Sequence, residues 1–62
     1  MFDEYDLVIA ERDLSKNVKK GCVGTILIVF SEPSIAYEIE FIAENGDTLD
    51  VLTVYPNDIK EK

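Results

Sequence analysis

The chain has 62 residues and a formal net charge of −7, with 13 acidic residues, six basic residues and no histidine. Residues 1–62 therefore form one small domain, which can bury only about 60% of the surface of its unfolded chain. A hydrophobic content of 47% excludes a disordered chain despite the charge. The acidic balance disfavours binding to the phosphate backbone of nucleic acids and favours a basic partner.

The first half of the chain predicts two strands joined by a polar loop. Residues 6–10 (DLVIA) are typical of a short strand, and residues 11–21 contain turn-forming residues. Two apolar anchors in this loop, Leu14 and Val18, leave a short helix there as an alternative. Residues 22–30 (CVGTILIVF) predict a long second strand, but both of its faces are similarly apolar, so its orientation stays open.

A β-hairpin is predicted over residues 35–54. The segments IAYEIEFIA and TLDVLTV are rich in β-branched and aromatic residues, and the ENGD between them is a strong turn signal. We expect a type I turn followed by Gly46 in the left-handed conformation as a bulge residue. This turn pairs Phe41 with Leu49 and sets Ile42 opposite Thr48. The competing two-residue turn pairs Phe41 with Asp50 and would bury a carboxylate among apolar side chains, so we prefer the first register.

The preferred register also predicts a functional surface on the opposite face of the hairpin. It sets Glu40 opposite Asp50, and like charges facing each other destabilise a sheet. Aliphatic side chains accompany the carboxylates, and an isolated domain gains nothing from this crowding. We therefore expect a partner to supply the countercharge, whereas a solvated acidic surface that keeps the protein soluble is the alternative. The predicted partner-binding residues are Glu38, Glu40, Ile42, Asp50 and Leu52.

The same alternation defines a predicted core, to which each strand contributes every second residue. The weakest assignment lies in the second strand, where the two faces are alike. The predicted core residues are Leu7, Ile9, Val23, Ile26, Ile28, Phe30, Ile39, Phe41, Leu49, Val51 and Ile59, with Tyr37 at the margin.

The end of the chain completes the predicted fold. Pro56 ends the fourth strand, and the residues after it suit a single tight helical turn before a last short strand. The sequence therefore predicts an all-β fold, a small five-stranded SH3-like barrel. In this barrel a long loop follows strand 1 and a tight helical turn precedes the last strand.

Residues 20–26 (KGCVGTI) are similar to the KOW-like pattern, in which two glycines flank the start of a barrel strand. Gly21 would supply a positive φ and Gly24 a close approach of two backbones. Together with YEIEF, NGDT and the terminal DIK, nearly the whole chain resembles a family of short, uncharacterised bacterial SH3-like domains. Members are often encoded beside toxin-like genes, so the resemblance implies an immunity or antitoxin protein. It carries no catalytic residues over to this chain.

Catalysis finds little support in the residues. The chain lacks histidine, which is the usual general base and the commonest metal ligand. Cys22, the single cysteine, has no histidine partner and suits a small core residue in a reducing compartment. Carboxylates two apart on a strand leave most of a cation's coordination shell to water. We expect no enzyme activity, no cofactor and no metal site.

The expected function is therefore binding. The preferred hypothesis is an immunity or antitoxin-like protein that neutralises a basic toxin, in the first instance a nuclease, by presenting carboxylates where phosphates bind. The alternatives are a generic interaction module that self-assembles into a homo-oligomer and, less favoured, a KOW-type nucleic-acid-associated domain supported only by the basic loop 12–20. Without a signal segment or a long apolar run, we expect a cytoplasmic protein that does not bind membranes.

Overall fold

β-branched and aromatic runs form strands where the sequence predicts them, and polar, glycine- or proline-containing segments separate them. The computed structural model describes residues 2–62. The elements are β1 (Leu7–Ala10), β2 (Val23–Phe30), β3 (Ala36–Ile42), β4 (Thr48–Val54), a 3-10 helix (Pro56–Asp58) and β5 (Ile59–Glu61). This order confirms the predicted all-β fold, including the long loop after β1 and the helical turn before β5.

The strands form one antiparallel sheet in the order β4-β3-β2-β1-β5. β1 to β4 make a meander, and the chain then returns through the 3-10 helix so that β5 pairs with β1. This topology is consistent with a small SH3-like barrel. Between Phe2 and Lys62, no helix is long and apolar enough to cross a membrane.

The loop between β1 and β2 contains bends and turns, so the alternative of a short helix there is wrong. The Leu14 N–H donates to the Val18 carbonyl over 2.8 Å, and the Val18 side chain is fully buried in the core. Two apolar anchors are enough to fix the loop because one of them reaches the core. Gly21, at the end of the loop, has the predicted positive φ of 95°.

The turn between β3 and β4 is the predicted one. The Gly46 N–H donates to the Ala43 carbonyl over 2.9 Å, and the Ala43 N–H donates to the Asp47 carbonyl over 2.8 Å. Gly46 has a φ of 92°, in the left-handed region that glycine adopts at low cost. The Asn45 side chain accepts the Asp47 N–H over 3.0 Å and stabilises the turn.

The predicted register beyond this turn is wrong by one residue in β4. Ile42 lies opposite Thr48 as predicted, but Leu49 is an extra residue in the ladder, so that Phe41 lies opposite Asp50. The expected cost of burying a carboxylate is offset because the Ser15 hydroxyl donates to Asp50 Oδ2 over 3.0 Å. A residue of the distant β1–β2 loop thus makes the rejected pairing possible.

A second irregularity lies in β2, where the register shifts between Ile26 and Ile28. Ile26 remains buried, whereas Ile28 lies opposite Glu38 and is 45% exposed. In β1, Val8 and Ala10 point to the core in place of Leu7 and Ile9. The bulge and the opposite alternation explain why several core predictions are wrong.

The observed core confirms the prediction at Ile26, Ile39, Phe41 and Ile59. Tyr37 is fully buried rather than marginal, and its ring packs edge-on against that of Phe2 with centroids 5.5 Å apart. Leu49 is partly buried against the core. The buried core cluster is Val8, Ala10, Val18, Ile26, Tyr37, Ile39, Phe41, Val54 and Ile59. The other predicted core residues lie outside this cluster, on the opposite face of the sheet: Leu7, Ile9, Val23, Ile28, Phe30 and Val51.

Gly24 lies opposite Phe41 and is buried under core side chains. A Cβ atom at this position would come within 2.6 Å of Ile39 Cγ2 and 2.8 Å of Phe41 Cδ1. Glycine therefore lets two core side chains fill the space above the backbone, whereas the prediction was a close approach of two backbones.

Candidate functional site

One face of the sheet covers the core, and we call the opposite one the outer face. Residues paired across neighbouring strands lie on the same face, so the register defines the members of each cross-strand row. The central row is Leu7, Thr25, Glu40 and Val51, the row on one side is Lys60, Ile9, Val23, Ile42 and Thr48, and the row on the other side is Ile28, Glu38 and Thr53.

Two glutamates of β3 lie on the outer face one strand from the edge, and threonines of the edge strand β4 orient them. Thr53 Oγ1 donates to Glu38 Oε1 over 2.7 Å, and Thr48 Oγ1 donates to Glu40 Oε2 over 2.6 Å. The second oxygen of each carboxylate accepts no side-chain hydrogen bond within residues 2–62. Alternate residues of a strand are about 7 Å apart, so the face presents two parallel acceptors at that spacing.

The countercharge for these glutamates does not come from the described part of the chain. The ion pairs there join Arg12 Nε to Asp58 Oδ1 over 3.5 Å and Lys60 Nζ to Glu11 Oε1 over 3.6 Å. Both pairs connect the β1–β2 loop to the C-terminal elements, away from Glu38 and Glu40. The outer face is therefore acidic along β3.

Exposed aliphatic side chains share the outer face with the carboxylates. Val51 lies directly opposite Glu40 and is 46% exposed, and Leu7, two strands from Glu40 in the same row, is 48% exposed. Ile28 is the direct neighbour of Glu38. Exposed aliphatic groups bordered by polar and charged ones are typical of a protein interaction site.

The structure brings together three of the five predicted partner-binding residues. Glu38, Glu40 and Ile42 lie on the outer face, as predicted. Asp50 and Leu52 lie on the core side, because the bulge at Leu49 shifts β4 by one residue. The predicted repulsion between Glu40 and Asp50 is therefore absent. Sequence reasoning placed Thr48 on this face, opposite Ile42, but gave it no role, and it missed Leu7, Ile28, Val51 and Thr53. Alternation from Val51 identifies Thr53 once the shift is known.

The rival surface, the basic loop 12–20, is partly engaged within the chain. Arg12 Nη2 donates to the Asn57 carbonyl over 3.0 Å, in addition to its ion pair with Asp58. The Lys20 N–H donates to Asp13 Oδ1 over 2.9 Å. The Arg12 contacts join the loop to the 3-10 helix, and the contact between Lys20 and Asp13 holds the loop itself together.

A groove of about 600 Å³ opens at the end of the outer face. Val23 and Ile42 belong both to this groove and to the outer face, and the free, half-buried Cys22 lies beside them. The lining residues are Lys20, Gly21, Cys22, Val23, Ile42, Ala43, Glu44 and Leu49. Within residues 2–62, no three His, Cys, Asp or Glu side chains come together as a metal site.

Topology and surface together define a small all-β domain with an acidic and aliphatic outer sheet face. The chain belongs to the family described as a domain of unknown function, DUF4926, which matches residues 4–61. Comparisons with curated proteins and with solved structures found no match.

Proposed function

We propose that the protein is an immunity or antitoxin-like protein that neutralises a basic toxin, in the first instance a nuclease, by binding it through the outer face. The observation that carries this proposal is the pair of threonine-oriented carboxylates, Glu38 and Glu40, without a countercharge from residues 2–62. Phosphate-binding sites of nucleases present cationic donors, and a carboxylate forms charge-assisted hydrogen bonds with the same donors. A partner of this kind would lose access to nucleic acid.

The aliphatic surroundings favour an interface over a solvated acidic surface. When Val51, directly opposite Glu40, is covered, water is removed from beside this carboxylate and an ion pair there becomes stronger. The threonine hydroxyls already satisfy one oxygen of each carboxylate, which lowers the cost of desolvating it. The partner then has to supply donors only for the second oxygen.

Long-range charge acts in the same direction. The chain carries a net charge of −7, which accelerates encounter with a basic protein and repels nucleic acid. A cytoplasmic location is part of the proposal, since the free Cys22 fits a reducing compartment.

A self-assembling interaction module is the second candidate, and the edge position of β4 favours it. Two copies that meet through their outer faces would, however, bring four uncompensated glutamates together. We therefore place binding to a basic protein first.

The test uses the product of the open reading frame adjacent to the gene. Its cleavage of nucleic acid is measured with increasing amounts of the protein, of Glu38→Gln/Glu40→Gln, and of the control Glu32→Gln/Glu61→Gln. The control removes the same charge from two exposed positions. We expect inhibition that nucleic acid relieves by competition, with loss of potency only in the first variant. A neighbour that is not basic, or inhibition that all three proteins exert equally, contradicts the proposal.

A further inference from the structure

The two edges of the sheet are protected unequally. β5 has three residues, two of them charged (Lys60 and Glu61), and Pro56 precedes it. β4 has seven residues, and its single charged side chain, Asp50, is turned toward the Ser15 hydroxyl. Short length, charge, proline and bulges are the usual means of protecting an edge from added strands. The bulge at Leu49 and the inward-pointing Asp50 lie in the first half of β4, and residues 51–54 carry no charge, proline or bulge.

The backbone of β4 is free on that side. It is the last strand of the sheet, and within residues 2–62 no backbone hydrogen bond joins it to a segment other than β3. The bulge at Leu49 lies near its start, so that residues 50–54 follow regular antiparallel register. In such a ladder alternate residues direct their N–H and C=O groups outward.

We propose that the basic partner adds an extended segment to β4, with basic residues alternating with apolar ones. This inference rests on the proposed function, in which the outer face binds a basic protein. Every second side chain of an added strand would lie on the outer face beside Val51 or Thr53. Neighbouring strands are about 4.8 Å apart, so a long basic side chain from that position reaches toward Glu40 and Glu38.

The apolar residues of the proposed partner segment would lie on the core side of the sheet. Leu52 is half-buried and packs against the core from the edge strand. An apolar side chain next to it would cover its remaining exposed surface and extend the core by one strand. Backbone hydrogen bonds provide affinity in this mode, and the alternating side chains provide specificity.

A second copy of the chain fits the edge less well. The segment TLDVLTV contains no Lys or Arg, so a β4–β4 pair would bring no countercharge to the outer faces. Each copy also carries a net charge of −7, which opposes association. Charge complementarity thus selects a basic segment as the occupant.

The test titrates the ¹⁵N-labelled full chain with a capped nonapeptide of alternating Arg and Val. One control has the same composition in two blocks. Two further versions of the alternating peptide are methylated at the backbone nitrogens, one at every Arg and the other at every Val. Each version therefore lacks the N–H donors along one edge of the extended peptide. We expect shift changes and slowed hydrogen exchange of the amides of residues 50–54. The block peptide and at least one methylated copy should bind at least about tenfold more weakly.

Three results overturn strand addition. In the first, both methylated copies bind as well as the parent peptide and shifts appear only around Glu38, Glu40 and Ile42, which leaves the proposed function intact. In the second, the amides of β4 are already protected in a free protein whose mass doubles with concentration, which identifies a second copy as the occupant. In the third, no peptide binds at millimolar concentration. Failure of the proposed function is separate, because inhibition of the adjacent gene product is then insensitive to Glu38→Gln/Glu40→Gln.

Discussion

Separate substitutions of two neighbouring residues in β4, Val51 and Leu52, distinguish the observed register of this strand from the predicted one. In the structure Leu52 packs against the core, whereas Val51 lies on the outer face and is 46% exposed. Leu→Ala at a fully buried site lowers the free energy of unfolding by about 3 to 5 kcal/mol. Leu52 is half-buried, so we expect Leu52→Ala to lower it by about 2 kcal/mol. Val51→Ala removes less apolar surface from a partly solvated site and should cost about 0.5 kcal/mol or less.

Urea unfolding of both variants, followed by circular dichroism, measures this difference. A domain of 62 residues has a free energy of unfolding of about 3 to 9 kcal/mol, so that a loss of 2 kcal/mol shifts the midpoint clearly. The m-value should stay constant, since neither change alters the exposed surface of the unfolded chain much. A larger loss for Val51→Ala than for Leu52→Ala would refute the register and support the pairing of Phe41 with Leu49.

Three further substitutions test the contacts that position the outer face. Gly24→Ala places a Cβ at 2.6 Å from Ile39 Cγ2, so thermal unfolding should show a loss of about 1 to 3 kcal/mol; an unchanged melting temperature contradicts the close approach. Gly46→Val forces a β-branched residue to a φ of 92° and should cost about 1 kcal/mol or more in urea unfolding, and an unaltered midpoint contradicts the turn. Ser15→Ala removes the donor to Asp50 and should cost about 1 to 2 kcal/mol; additivity with Asp50→Ala in a double-mutant cycle contradicts this contact.

The predictable part of the fold rests on local signals. β-branched runs, the ENGD turn and Pro56 each determine the nearby backbone, so the strand bounds and the left-handed Gly46 agree with the sequence prediction. The close contact above Gly24 could also be predicted, because a glycine inside a strand indicates that other atoms approach its backbone closely. These features do not depend on which residues pack against each other across the fold.

The two bulges, at Leu27 and Leu49, could not be predicted because no residue at either position requires one. At the second bulge, Leu49 and Leu52 both pack against the core, which strict alternation forbids. The shifted register then depends on Ser15, which is 35 residues from Asp50. Alternation could not reveal a contact with the β1–β2 loop.

The residues of the candidate site also fall into a group that could be predicted from the sequence and a group that could not. Glu38, Glu40 and Ile42 could be predicted because β3 carries a clear alternation with Tyr37, Ile39 and Phe41 on its other face. The unrecognised bulge led to the assignment of residues 50–53 of β4 to the wrong face. The corrected neighbours Val51 and Thr53, together with the hydrogen bond from Thr48, change the site from a repulsive cluster to an oriented pair of acceptors.

The central claim is that the outer-face glutamates bind the partner and contribute little to the fold. In Glu38→Gln/Glu40→Gln the threonine hydroxyls can still donate to the amide oxygens, so unfolding in urea should give the parental stability or slightly more. The control variant is Glu32→Gln/Glu61→Gln, which makes the same change in net charge.

Calorimetric titration of both variants with a catalytically inactive product of the adjacent gene tests this claim most directly. We expect Glu38→Gln/Glu40→Gln to weaken binding by about 2 kcal/mol, or roughly 30-fold, because two desolvated charge pairs are lost, while the control changes the affinity only slightly. If the two charges lie at the periphery of the interface, the difference in affinity between the two variants should decrease as the salt concentration rises. If they are buried in the interface, the difference should change little. Equal affinities of the parent and the outer-face variant would contradict the account.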